Sequence, residues 1–420
     1  MSPVSSLLGH RGDPDADVTA HDTYLEGVPY AAFERLRELG PVVRLVEPDG
    51  GWHWAVLDHG LVGQVGRDWQ RFTTTAGIRL EEMDDAALHH RRTLMETDPP
   101  DHTRLRRILQ KGFTPRVVSG FEAAFRQLVR LILQDAVTRG ALDFADEVSK
   151  ALPVRLLCRL LGVPDSDAER LVGWTDRLVS NTDPEFSDVV VDRDDTGEYR
   201  LLPFRSPAAL EVFHYAEECA LERRADPSDD VISTLLDARI EGEPLTDLEF
   251  KNFFTLLMVA GNETTRHAMN HAITLMIDRP ELLAQVRSVG DATQQVEEFM
   301  RAASVTMHFR RTATASTTLG PVEVNTGDKV VMWYVASNVD PTVFPDPHRL
   351  DLTRSPNPHH AFGVGPHSCL GAAFARLELR VLIEELAAGV TRIEGTGPVE
   401  RLRSNFHNGI KRLPVGLHPR

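Results

Sequence analysis

HAFGVGPHSCLGAAFARLEL, His360 to Leu379, puts the last of three cysteines between a glycine-rich run and a stretch of good helix formers. Ala372 to Leu379 reads as the first turns of a helix, with Phe374, Leu377 and Leu379 able to pack inward. Cys369 then stands at the amino end of that helix. A thiolate is a strong, soft ligand whose charge needs support, and the unpaired amides of a helix start supply it. Gly363, Gly365 and Gly371 allow tight turns and close approach to a flat partner, and Pro366 fixes one turn angle. Taken alone, a cysteine after glycines reads first as a buried structural residue. His367 and Cys369 are too close for the usual zinc spacing, and no cysteine forms a CxxC pair. HExxH, GxSxG, GxxxxGK[ST] and GxGxxG sequences are absent.

Around this stretch lies a chain of 420 residues, 42% hydrophobic and 26% charged, a globular mix with enough apolar material to enclose a cavity. Its net charge of -16 argues against nucleic acid or an anionic membrane as the main partner. Cys158, Cys219 and Cys369 are too few for a disulfide scaffold, which suits a reducing, cytoplasmic setting. The first thirty residues hold no apolar signal core, and no apolar run is long enough to span a membrane. With no repeat or linker, residues 23–420 read as one domain behind a loosely ordered segment, 1–22, rich in Pro, Gly and Asp.

Within that domain, Pro29 to Gly40 reads as a helix with a glycine stop, and Pro41 to His59 as a hairpin around Asp49-Gly50-Gly51. Residues 75–100 are irregular and polar. A helix begins after Pro99-Pro100, and helical periodicity dominates to about residue 307. Val322 to Val335 reads as a second hairpin, 340–362 as a proline-rich meander, and 392–418 as a last strand pair. Helices and strands do not alternate, so the fold class is mainly α with small β-sheets, not a doubly wound sheet.

Three further segments carry chemistry. Leu256 to Ile277 belongs to a helix of about 30 residues from about Leu248, some 45 Å long. Its polar insert, Gly261-Asn262-Glu263-Thr264-Thr265, is either an exposed face or an acid and an alcohol lining a cavity, where they would relay protons. Glu298 and Arg301 form an i,i+3 pair, most often a surface contact. His102 and Arg106 lie four apart on one helix face, which by itself reads as a solvated basic face.

FGVGPHSCLG resembles the haem-binding signature of the cytochrome P-450 monooxygenases, FGxGxHxCxG, at Phe362, Gly363, Gly365, His367, Cys369 and Gly371. The insert from Ala260 to Thr265 is similar to the same family's [AG]Gx[DE]T[ST] pattern. The resemblance implies one large triangular α-rich domain holding haem b. It makes Cys369 the axial ligand of the iron, a thiolate that favours O–O cleavage. Phe362 would pack beside the sulfur, and Ala260 and Gly371 would lie against the cofactor. His102, Arg106, Arg311 and His367 would hold its propionates, and Glu263 with Thr264 would form the proton relay. Glu298 and Arg301 would be buried, joined by Arg349 from the meander. By position, Leu256, Val259, Ala260, Val305, Thr306, Met307, Phe406 and part of 76–92 would line the substrate pocket. Glu81, Glu82, His89, His90 and Arg91 in the last of these are expected to face solvent, unless one binds a polar group of the substrate. The polar stretch 178–215 would lid the entrance.

The implied reaction inserts one atom of O2 into a C–H bond of a hydrophobic small molecule, nearest to the bacterial members that oxidise terpenoids, steroids and alkyl chains. Electrons would come from NAD(P)H through a separate ferredoxin reductase and ferredoxin, docking near Arg104, Arg107 and Lys111. A monomer is expected. A peroxide-driven peroxygenase and a non-catalytic haem ligand-binding protein are the alternatives. Ala302 and Val305 depart from the family's usual aromatic residue and proline, which bears on the pocket and not on haem binding.

Overall fold

A computed structural model describes residues 12–240 and 242–420. The helix expected from Leu248 is Asp247–Asp278, 32 residues in one continuous run. Thr246 starts it with a reciprocal cap: its hydroxyl accepts the Glu249 amide (3.2 Å), and the Glu249 carboxylate accepts the Thr246 amide (2.8 Å). Every residue from Thr265 to Met276 is buried, so this stretch is surrounded by protein on all sides. The amino-terminal half packs in an apolar cluster with helices Ala151–Leu161, Ala168–Val179 and Ala208–Ala225. The carboxyl-terminal half packs with Thr293–Ala303 and Ala372–Gly389, the latter also lying on Pro115–Arg139. Gly261 permits one of these approaches: a Cβ there would sit 3.1 Å from Leu157 Cδ1.

The main sheet has five strands in the order Val42–Val46, Trp52–Val56, Lys329–Trp333, His308–Ala313 and Phe72–Thr73. The first two form the expected hairpin, antiparallel from Val42 opposite Val56 to Val46 opposite Trp52. The second expected hairpin is not formed. Val322–Val324 pairs with Thr317–Leu319, whereas Lys329–Trp333 enters the main sheet between Trp52–Val56 and His308–Ala313. All five residues of Lys329–Trp333 are buried, so it is a central strand and takes two neighbours from elsewhere. Val390–Gly395 pairs with Pro414–Pro419, as expected near 392–418, and Ala141–Asp143 adds a third strand.

Two boundaries change. Val18 and Thr19 are buried and the Tyr24 hydroxyl donates to Val18 O (2.8 Å), so the folded domain reaches back beyond residue 22. The rest of that expectation, residues 1–11, lies outside the described residues. Segment 75–100 contains a short helix, Asp85–His90, capped by Asp84. Among the described residues no helix is long and apolar enough to cross a membrane.

Candidate active site at the cysteine loop

Residues 360–371 turn back on themselves ahead of the Ala372–Gly389 helix. The Cys369 amide donates to Phe362 O (2.8 Å), that of Ser368 to Gly365 O (3.0 Å), and that of Gly363 to His360 O (2.9 Å). Gly363 and Gly365 have φ of +67° and +81°, which L side chains resist. At Gly365 space is also decisive: a Cβ would lie 2.0 Å from Gly66 O on helix His59–Arg67. The close approach of this loop is therefore to that helix. Burial pushes the Cys369 thiol up, while hydrogen bonds from the Gly371 and Ala372 amides and the charges of Arg106 and Arg376 pull it down. A metal cation bonded to the sulfur would remove the burial penalty, and the helix-start amides already face it.

Cys369 opens on a cavity of about 340 Å³, with Phe362, Gly363, His367 and Gly371 beside it. Across the lining stand Leu256, Val259, Ala260, Gly261 and Thr264 of the long helix, with Val305, Thr306 and Phe406. One expected pocket residue is absent. Met307 is fully buried in the core, because its amide donates to Phe406 O (2.9 Å) and its carbonyl accepts from Val335 N (3.2 Å). Phe309 lines the cavity instead. The chain reaches this wall through Ser304, a left-handed residue (φ +39°) whose hydroxyl donates to Arg301 O (2.7 Å) and accepts from Asn338 Nδ2 (2.9 Å).

His102 and Arg106, from helix Asp101–Leu109, line the cavity next to His367; the two imidazoles lie 4.2 Å apart. Both ring nitrogens of His102 and Nε2 of His367 are buried without a hydrogen-bond partner. Burial, then the charges of His367 and Arg106, lower the His102 pKa to about 4. Arg311 is buried and donates to Arg310 O (2.8 Å). The nearest carboxylate is Asp98, 3.8 Å from His367 Nε2. Two arginines and two imidazoles with orphaned nitrogens form a donor set short of acceptors, and a group bearing two carboxylates at this edge would satisfy it.

Glu263 and Thr264 are not brought onto one surface. Thr264 lines the cavity, its hydroxyl donating to Ala260 O (3.0 Å). Glu263 points away and is fully buried: Oε1 accepts from Arg266 (2.7 Å) and meets His267 Nε2 (2.7 Å), and Arg266 also reaches Asp176 (2.7 Å). Burial opposes the Glu263 charge, but Arg266 and His267 hold the pKa well below the usual carboxylate range. Residues adjacent on a helix point about 100° apart, so one faces the cavity and the other the protein.

Glu298 and Arg301 are buried and paired through two hydrogen bonds of 2.7 and 2.8 Å, and Arg301 donates further to Asn338 O and Pro347 O. The third member is Arg354, not Arg349. Arg354 Nε lies 3.2 Å from Glu298 Oε2, while Arg349 contributes its backbone carbonyl to Arg354 Nη2 (3.2 Å). Asp351 N and Asn357 Nδ2 complete the shell of Glu298 at 3.0 Å each. The 178–215 stretch is tied to the carboxyl-terminal segment: Thr182 donates to Arg403 O (2.6 Å), and Asp183 accepts the Arg403 amide (3.0 Å). Pro203 and Phe204 of that stretch reach the cavity. From the expected 76–92 stretch Ile78, Arg79, Glu81, Met83 and Arg91 line the cavity, so Glu81 and Arg91 turn inward rather than to solvent; sequence reasoning passed over Glu378 and His407, also on the lining. Glu378 stands nine residues after Cys369, with burial raising its pKa well above the usual range, and a glutamate in a helix gives no sign of that by itself.

The model of the Cytochrome P450 family matches residues 36–288 and 292–386. The chain is 34% identical over 405 residues to the Steroid C26-monooxygenase of Mycolicibacterium smegmatis, covering 93% of this chain and 91% of that protein. It is 35% identical over 373 residues to the Methyl-branched lipid omega-hydroxylase of Mycobacterium tuberculosis, covering 87% and 84%. A Mycobacterium marinum cytochrome P450 solved in complex with pseudoionone superposes with a TM-score of 0.83 at 33% identity, covering 92% of this chain and 94% of that one. With a cysteine at a helix start, a donor set short of acceptors and a largely apolar cavity in one place, the chain belongs to the cytochrome P450 family.

Proposed function

We propose that the chain hydroxylates an unactivated C–H bond of an apolar small molecule of the steroid or methyl-branched lipid kind. The observation that carries this reading is one cavity walled by both Cys369 and Thr264 and otherwise largely apolar. The names of the two relatives support the substrate class. The family's cofactor is haem b, and the residues present fit it. Cys369 would hold the iron, Phe362, Gly371 and Ala260 would lie against the macrocycle, and His102, Arg106, Arg311 and His367 would bind the propionates. When bound, haem supplies the activation of dioxygen, one atom of which enters the substrate while the other leaves as water.

The chain's own residues do the rest. The apolar lining excludes water and orients the substrate. Thr264 Oγ1 holds and passes a proton at the cavity wall. Glu263 reaches that hydroxyl only by leaving Arg266 and His267. Electrons arrive from NAD(P)H through a separate ferredoxin reductase and ferredoxin. Arg104, Arg107 and Lys111, exposed next to the His102–Arg106 face, offer a basic docking patch. The protein acts as a cytoplasmic monomer, a reading supported by its strong net negative charge and three unpaired cysteines.

The test is optical. The reduced carbon monoxide complex should absorb at about 450 nm, the mark of thiolate ligation, and Cys369→Ser should abolish that band. A wild-type protein with no such band, and none at the wavelength of its inactive form, would falsify the assignment. One observation favours the peroxide-driven reading: Glu263 stands off the cavity. Product formed with peroxide but not with NADH, reductase and ferredoxin would decide for it.

A further inference from the structure

Arg79 lines the same cavity, where the charges of Glu81 and Glu96 favour its cationic form but neither carboxylate pairs with it. Its guanidinium lies between two rings, 4.7 Å from the centre of Phe204 and 4.3 Å from that of Phe406. Its place is fixed from behind, since Arg310 N donates to the carbonyl of the preceding Ile78 (2.8 Å). Phe204 is itself held in the left-handed region (φ +60°), a strained backbone that keeps its ring on the cavity wall. Among the described residues none accepts a hydrogen bond from the Arg79 side chain or forms an ion pair with it.

The carboxylates of this wall are engaged elsewhere. Glu81 pairs with Arg91 (2.6 Å) and Arg205 (3.0 Å). Glu82 pairs with Lys329 (2.7 Å) and Arg310 (3.1 Å). Glu96 accepts from the amide (3.1 Å) and hydroxyl (2.5 Å) of Thr93, and burial raises its pKa. Burial lowers the pKa of Arg79, to about 10, which leaves it charged at neutral pH. A desolvated, charged guanidinium whose five donors meet no acceptor among the described residues is costly unless a ligand supplies one. Its planar fork matches a carboxylate in bidentate geometry, and the flanking rings leave its edge free for that contact.

We infer that Arg79 is the anchor for the substrate's anionic end. The substrate is an amphipath: an apolar body, held along Leu94, Leu256 and Val259, that ends in a carboxylate. Anchoring the carboxylate at Arg79 leaves the apolar remainder to meet Thr264 and Cys369, so oxidation falls on a carbon remote from the acid. This assignment rests on the monooxygenase reading and deepens it.

Matched acid and ester pairs test it. A saturated C14 fatty acid and its methyl ester, and a steroid carboxylic acid and its methyl ester, are titrated into the holoprotein by calorimetry, which needs no turnover. Wild type should bind each acid about 10- to 100-fold tighter than its ester, the worth of a charge-assisted contact. Arg79→Gln should erase that preference by weakening the acid alone, and Arg79→Lys should restore part of it. The two pairs report which body, chain or steroid, the cavity accepts. Equal affinity of acid and ester in wild type, or an equal loss of both in Arg79→Gln, overturns the assignment. If Arg79→Gln fails to hold haem, the wild-type ratio and Arg79→Lys still decide. A wild-type 450 nm band with an acid-to-ester ratio near one would remove the anchor and leave the monooxygenase, whereas a missing band would remove the monooxygenase.

Discussion

Thr264 and Glu263 share a peptide bond and face different surroundings, and that difference separates what each substitution should do. Thr264→Ala removes a hydroxyl that bonds only its own helix and the cavity. Its unfolding free energy should change by less than about 1 kcal/mol. Product formed per NADH should fall about tenfold, because proton delivery is disturbed while electron entry is not. Product yield per NADH equal to wild type would remove Thr264 from the relay. Glu263→Gln keeps the shape and removes the charge that Arg266 and His267 share. Breaking a buried pair from one side costs about 3–5 kcal/mol, so this variant should unfold earlier whatever it does to coupling. The motif makes both residues legible. Which way each points is set by the packing of three neighbouring helices, and adjacent letters do not carry that.

At the scale of the element, the meander between residues 340 and 362 is held by Glu298 and Arg301 from one short helix. Arg354 caps Glu298 with its side chain; Arg349 offers only its carbonyl. Arg354→Ala should therefore cost about 2–4 kcal/mol and loosen haem retention, while Arg349→Ala should stay within about 0.5 kcal/mol. Urea unfolding and haem release under dilution measure both, and equal effects would refute the assignment. The sequence offered two arginines five residues apart in a segment with no periodicity, and an irregular loop gives no rule for which one turns inward. The Val322–Val335 stretch fails for a related reason. Local turn residues suggested a hairpin, but Lys329–Trp333 has five buried positions and is claimed by strands from far along the chain. Where periodicity is long and tertiary competition small, as in the 32-residue helix, the reading from sequence matched the structure closely.

On the scale of the whole molecule, the core encloses several neutral histidines. Burial lowers the pKa of His271 to about 3, with the Arg401 charge adding to it, and that of His407 to about 3, with Arg79 adding. His271 Nε2 lies 2.7 Å from Asn408 O and donates to it as a neutral ring. Above pH 6.5 neither state binds a proton there and stability is flat. Below it the unfolded chain takes up protons that the folded chain refuses, so stability falls with pH until about pH 3. One such site costs about 2 kcal/mol at pH 5. Replacing it, as in His271→Gln, should flatten the difference between urea midpoints at pH 7 and pH 5, and an unchanged difference would count against it. Composition announced a globular protein with a cavity; which of its 17 histidines would be neutral and interior was not written in their spacing. The sheet that joins Ala141–Asp143 to Pro414–Pro419 has a further consequence. Phe406 and His407 wall the cavity just before that last strand, so a nascent chain still short of residue 400 has neither. The residues that would hold haem all precede residue 372, so such a chain lacks one wall of the site rather than its ligands, and ribosome-arrested intermediates should retain porphyrin less tightly than the full chain does.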